Sequence, residues 1–137
     1  MAVRDPGVLS PENAREAIMS AARPSSIEPL PLLKGTLDLL VLKALSLGPM
    51  HGFGVASWLQ TRSDGLLAGI GDSALYQSLH RLEGRGLVDA EWGVTENNRR
   101  ARYYRLTNAG RDCLIRELST WRRYTEAVGA ILIAHSV

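Results

Sequence analysis

The sequence predicts a mainly α-helical domain with one small β-hairpin, followed by a long C-terminal helix. Three observations carry that expectation. Between residues 34 and 86, apolar side chains recur at helical spacing in three blocks separated by glycine and proline. Between 88 and 106 the period shortens to two, and a polar turn splits the alternating stretch into halves. From 108 onward the helical period returns and holds to about Ala134.

Thr36 is the expected cap of a first helix over Leu37–Leu47, closed by Gly48 and Pro49. Its apolar residues cover nearly the whole circumference, so the helix must be buried on most sides. In so small a domain one of those sides is expected at a subunit contact. A second helix follows over about Gly52–Arg62, with Val55, Ala56 and Leu59 inward, and residues 65–71 read as a loop. The third helix starts at Gly71 or Asp72 and stops before Gly86; Leu75, Leu79 and Leu82 form its inner stripe.

Val88, Ala90 and Trp92 alternate with Asp89 and Glu91 in a strand with one wet face. After the polar loop Thr95–Arg100, a second strand runs through Ala101–Leu106, and Thr107 caps the final helix from Asn108. Residues 1–32 form a separate arm. Ser10-Pro11-Glu12 starts a short helix over 11–22, and Pro24, Pro29 and Pro31 make the rest a linker. The arm is either peripheral or a helix that docks on a partner subunit. The expected domain limits are 1–32 for the arm, 33–107 for the helices and hairpin, and 108–137 for the last helix.

Composition narrows the chemistry. Sixteen Lys and Arg against fourteen Asp and Glu leave a formal charge of only +2, so the distribution of charge matters more than its total. Cys113 is the single cysteine, which rules out an intramolecular disulfide and fits a reducing, cytoplasmic setting. Arg4, Asp5, Glu12, Arg15 and Glu16 interrupt any leader-like apolar stretch. The apolar segment Ala127–Ala134 falls far short of the ~20 residues of a membrane span. His51, His80 and His135 lie in three different elements, without metal-ligand spacing. Neither enzyme chemistry, a metal nor a cofactor is expected. Gly52 and Gly54 have no strand before them in this pattern and no Gly-Lys-Ser/Thr after, so close helix packing explains them better than a phosphate loop.

Three helices, a hairpin and a further helix follow the order of a winged helix-turn-helix domain. On the third helix Ser73, Gln77, His80, Arg81 and Gly84 lie opposite the leucines, with Tyr76 at the border. Such a face can enter the major groove of duplex DNA, where Gln pairs with adenine and Arg with guanine. Taken alone, this helix reads better as an ordinary solvated face. The hairpin turn adds Asn97, Asn98, Arg99, Arg100 and Arg102 with no acid among them, a composition suited to phosphates or the minor groove. Residues 34–111 hold ten Lys/Arg against seven acids, a surplus of three concentrated on this wing. Together the two surfaces favour double-stranded DNA, contacted by Ser73, Tyr76, Gln77, His80, Arg81, Asn98, Arg99, Arg100 and Arg102. The competing expectation is a winged helix that docks a protein partner and never binds DNA.

On the last helix Leu114, Leu118, Trp121, Tyr124, Val128 and Leu132 recur at three- and four-residue spacing, and Ile131 widens the stripe. A second copy of the chain is its simplest partner, giving a homodimer. It can also fold back on the first helix of its own chain, and both can hold. Trp121 is either core at that seam or the wall of a cavity for a small planar aromatic effector.

Several motifs, in order, resemble the PadR family of transcriptional regulators. Lys34-Gly35-Thr36-Leu37-Asp38 through Leu47, then Gly48-Pro49-Met50-His51-Gly52-Phe53-Gly54, is similar to the family's first helix and its Gly-Pro-x-His-Gly-Tyr-Gly signature, with Phe53 in place of tyrosine. Leu75-Tyr76-Gln77-Ser78-Leu79-His80-Arg81-Leu82-Glu83 resembles Leu-Tyr-Pro-x-Leu-x-x-Leu-Glu, with Gln77 where proline is common. Gly86-Leu87-Val88, Glu91-Trp92, Asn98-Arg99-Arg100, Tyr103-Tyr104-Arg105-Leu106-Thr107 and Gly110 extend the likeness, which covers about residues 33–132. The resemblance implies a homodimer formed through the final helix, a near-palindromic operator read by the third helix and wing, and repression. It also implies response to phenolic compounds or drugs, held at the dimer interface in some members, and places the short final helix with the smaller subgroup. Gln77 alters the face that would read bases.

Overall fold

The computed structural model describes residues 35–133. In chain order these form α1 (Thr36–Leu45), β1 (Met50–His51), α2 (Gly52–Arg62), α3 (Asp72–Gly84), β2 (Val88–Val94), β3 (Arg100–Leu106) and α4 (Asn108–Leu132). The expected helix over 11–22 and its linker lie outside the described residues. The three expected helices, the hairpin and the final helix are all present, so the mainly α architecture with a small sheet holds.

The start of α1 differs from expectation. Gly35 is the N-cap, at φ +85°, and Thr36 is the first helical residue. Without a β-carbon, glycine reaches this left-handed geometry at little cost, and the chain turns into the helix one residue early. At the other end Ser46 Oγ donates to the Lys43 carbonyl at 2.6 Å, and Gly48, at φ +144°, turns the chain away.

The sequence pattern also misses β1. Met50 pairs with Tyr104 and His51 with Tyr103, which makes the hairpin a three-stranded antiparallel sheet in the order β1–β3–β2. Two residues carry no visible alternation, so only pairing reveals the strand. His51 then serves α2: its Nδ1 accepts the Gly54 N–H at 3.0 Å, an imidazole in the place of the usual capping oxygen. A strand therefore does precede Gly52, yet tight packing remains the reason for that glycine. A β-carbon there would lie 2.6 Å from the Tyr76 hydroxyl.

The β2–β3 ladder runs in register from Val88↔Leu106 to Val94↔Arg100. In the connecting turn Asn98 adopts φ +59°, Thr95 Oγ1 accepts from Arg99 N, and Asn98 N donates to the Thr95 carbonyl at 2.9 Å. Asparagine tolerates this conformation better than most residues, which suits it to the tip.

Burial follows from periodicity. Val41, Leu42, Ala44 and Leu45 of α1 meet Val55 and Leu59 of α2 and Leu75, Leu79 and Leu82 of α3. Val88, Tyr104, Leu106, Cys113 and Leu114 complete the same core. Each fully buried leucine stabilises the fold by about 1.5–3 kcal/mol relative to exposure. Cys113 is a small apolar filler here, as expected.

Thr107 caps α4 as expected and does more. Its Oγ1 accepts from Gly110 N at 3.0 Å and donates to the Gly86 carbonyl at 2.8 Å, while its own N–H donates to the Leu87 carbonyl. The end of β3, the start of α4 and the turn after α3 are thus joined at one residue. The described residues fall into two units, 35–118 and 119–133. In the second, the Trp121 and Tyr124 rings lie 6.3 Å apart, and Tyr124, Ile131 and Leu132 are exposed. No helix among the described residues is long and apolar enough to cross a membrane.

Candidate nucleic-acid interface

Anchored by Leu75, Leu79 and Leu82, α3 exposes Ser73, Tyr76, Gln77 and His80 on its opposite face. With Arg81 and Tyr104 they line an open depression of about 600 Å³. Gly71, in extended conformation, caps the helix and leaves its first amides free of a side-chain cap. Backbone N–H groups and hydroxyls at such an end suit phosphate oxygens.

Arg81, expected as a base contact, is held by a residue that the sequence pattern did not single out. Its Nη2 donates to Asp38 Oδ1 at 2.7 Å and its Nε to Oδ2 at 3.3 Å. The fully buried Ser78 donates its hydroxyl to the same Oδ1 at 2.6 Å. Burial pushes the Asp38 pKa up, but the Arg81 and Ser78 hydrogen bonds and the charges of Arg81 and Arg85 outweigh it and hold the carboxyl below its ordinary value.

A second clasp borders the other side of α3. Arg102 of β3 donates to Glu83 at 2.9 Å, with its guanidinium 5.9 Å from the centre of the Tyr104 ring. Burial raises the Tyr104 pKa; Glu83 and Tyr76 add to the rise and Arg102 opposes it. Two of the expected DNA-contacting arginines thus already have carboxylate partners. Neither partnership is visible in sequence, because Asp38 and Arg81 lie 43 positions apart and Glu83 and Arg102 nineteen.

The wing holds Asn98, Arg99 and Arg100 exposed at its tip. Arg100 lies over the Trp92 ring, 4.5 Å from its centre. Trp92 corrects the expected dry face of β2, being 59% exposed with Val94 alike at 63%. Alternation does place Trp92 on the side of Val88 and Ala90, but only the proximal part of that side is covered by the core. A smaller depression is lined in part by Glu83, Asp89, Glu91, Tyr103 and Arg105. Among the described residues no group of three or more His, Cys, Asp or Glu could hold a metal ion.

On the last helix, Leu114 is buried in the core of its own chain. Leu118, Trp121 and Val128 are half-buried, and Tyr124 and Leu132 are exposed. The stripe expected from spacing therefore divides near Leu118: its first residue is already packed, and its later residues retain accessible apolar surface.

Four helices and a three-stranded antiparallel sheet in this order make a winged-helix domain. The model of the PadR-like transcriptional regulator family matches residues 41–116, more than half of the chain. The chain belongs to that family. A transcriptional regulator from Clostridium thermocellum is 25% identical with a TM-score of 0.64, covering 70% of this chain and 92% of its own. A PadR family regulator from Clostridium difficile is also 25% identical, with a TM-score of 0.63 and coverage of 72% and 99%. A protein from Streptococcus mutans reaches a TM-score of 0.66 at 25% identity, covering 78% of this chain and 98% of its own.

Proposed function

We propose that this PadR-like regulator binds near-palindromic double-stranded DNA as a homodimer and represses transcription from the sites it occupies. The observation that carries this reading is the α3 face: Ser73, Tyr76, Gln77 and His80 are all exposed on a helix whose other side is locked into the core. Gln77 is the adenine reader, Arg81 the guanine reader, and Ser73 and Tyr76 donate to phosphates. Asn98, Arg99, Arg100 and Arg102 of the wing engage the adjoining backbone or minor groove.

In this reading residues 33–107 bind DNA and residues 108–137 join the subunits, with 1–32 as an arm. Leu114 is already buried in its own chain, so pairing rests on Leu118, Trp121, Tyr124, Val128 and Leu132. Their apolar surface favours a second copy, and a two-fold arrangement suits an operator with two half-sites. A planar aromatic effector stacking on Trp121 beside Tyr124 is the proposed release signal. The protein acts in the cytoplasm, without a cofactor or metal.

Selection of duplexes from a random pool, followed by sequencing, tests this directly. The expected product is a pair of dyad-related half-sites about one helical turn apart. Failure to retain any duplex would favour the protein-docking alternative. Quenching of tryptophan emission by planar aromatics, abolished in Trp121→Ala, is the result expected for the effector; a flat response removes it.

A further inference from the structure

We propose that Asp38, outside the recognition helix, is a specificity-determining positioning residue that presents Arg81 to a guanine in the operator. The inference rests on the DNA-binding reading above and adds a residue that makes no contact with DNA itself. The Asp38 carboxylate grips the side edge of the guanidinium through Nε and Nη2, at 3.3 and 2.7 Å. Because the guanidinium is planar, Nη1 and the second Nη2 hydrogen are then directed away from Asp38. That outer edge is the fork that matches guanine O6 and N7.

Three further features favour orientation over simple helix bridging. The Arg81 side chain is 53% exposed while that of Asp38 is 26% exposed, so the outer edge of the arginine remains reachable. Arg81 lines the depression shared with Ser73, Gln77 and His80. Buried Ser78 holds the carboxylate in place with a hydrogen bond of 2.6 Å to Oδ1. A long side chain that would otherwise sample many rotamers is held from one side only, and less freedom is given up when it meets a base. Pairing with Asp38 also offsets its charge, so Arg81 adds less to sequence-independent phosphate attraction than Arg99 or Arg100.

The test is selection from a random duplex pool with the full-length protein as wild type, Asp38→Asn, Arg81→Ala, Arg81→Lys and the Asp38→Asn/Arg81→Ala pair. Wild type is expected to prefer guanine at one position of each half-site. Asp38→Asn should lower that preference about tenfold while affinity for an unrelated duplex holds or rises, since a negative charge is removed. In the Arg81→Ala background Asp38→Asn should add no further loss of preference. Arg81→Lys keeps the charge but not the fork, and should lose the preference in a protein with the wild-type circular dichroism spectrum, which ties the guanine to Arg81. If Asp38→Asn fails to fold, Asp38→Glu, which keeps the charge and shifts the carboxylate by one methylene, should lower the same preference and decides the matter. Unchanged guanine preference in Asp38→Asn, or in Asp38→Glu where Asp38→Asn does not fold, or an Asp38→Asn effect that persists without Arg81, overturns the inference and leaves the DNA-binding reading intact. Unchanged preference in Arg81→Lys overturns it together with the assignment of Arg81 as guanine reader. Wild-type protein that retains no duplex overturns both.

Discussion

Gly110 of α4 packs directly on the carbonyl of Leu87, so closely that a β-carbon at Gly110 would overlap that oxygen. The clash is with backbone, not with the end of a movable side chain. Gly110→Ala must therefore push α4 away from the strand that starts at Val88. Overpacking of this kind costs about 1–3 kcal/mol. Urea denaturation should show the lower midpoint, whereas Ala substitution at the unobstructed Gly84 should show no such drop.

The same junction gives a second expectation. Thr107→Val keeps the side-chain shape but removes the hydroxyl that accepts from Gly110 and donates to Gly86. Losing a cap costs about 0.5–2 kcal/mol. Thr107→Ser retains the oxygen and should recover most of the stability in the same melts.

Acid should act through Asp38. Its folded pKa lies below its ordinary value, so the unfolded chain takes up the proton first as pH falls. The stabilisation is complete above the unfolded pKa of about 3.9 and is lost as pH falls from there through the lower folded pKa. Partial exposure of the pair and solvent screening limit its worth to below about 1 kcal/mol. Asp38→Asn should flatten this limb in denaturation curves collected against pH; an unchanged acid limb would assign it to other carboxylates.

The wing should supply general affinity. Arg99 and Arg100 are exposed beside the turn, and Arg100 stacks on Trp92. The carboxylate clasps among the described residues hold Arg81 and Arg102 instead, which leaves the charge at the wing tip available to phosphate. Replacing Arg99 and Arg100 by alanine should weaken binding to all duplexes and reduce the salt slope by about 0.9 for each phosphate no longer neutralised. Equal slopes for variant and wild type, read from titrations across a salt series, would remove the wing from the interface.

Gly52 and Tyr76 link the start of α2 to the exposed face of α3. In Gly52→Ala the new methyl meets the far end of a half-exposed tyrosine, which can swing aside. Stability should change by less than about 1 kcal/mol, yet Tyr76 moves on the face proposed to contact DNA. The expected outcome is weaker operator binding at nearly unchanged melting temperature.

Much of this was legible in the chain itself. Period together with the glycine and proline breaks located α1, α2, α3, the hairpin and α4, and in α3 and β2 the spacing of Leu75, Leu79 and Leu82, or of Val88 and Ala90, records which side is turned to the core. Local chemistry marked Thr107 as a cap and Asn98 as a turn residue. The exposed polar face of α3 followed from the same wheel. What distance along the chain concealed was partnership: β1 exists only because Met50 and His51 meet Tyr104 and Tyr103. Likewise, Asp38 meets Arg81 only once α1 and α3 have packed. Sequence thus determined the elements and the polar residues that α3 and the wing expose, since both depend on neighbours a few positions away. Tertiary structure decided which arginines are already clasped, how far the core covers the wing, and where Trp92 lies, because those outcomes depend on contacts between distant segments.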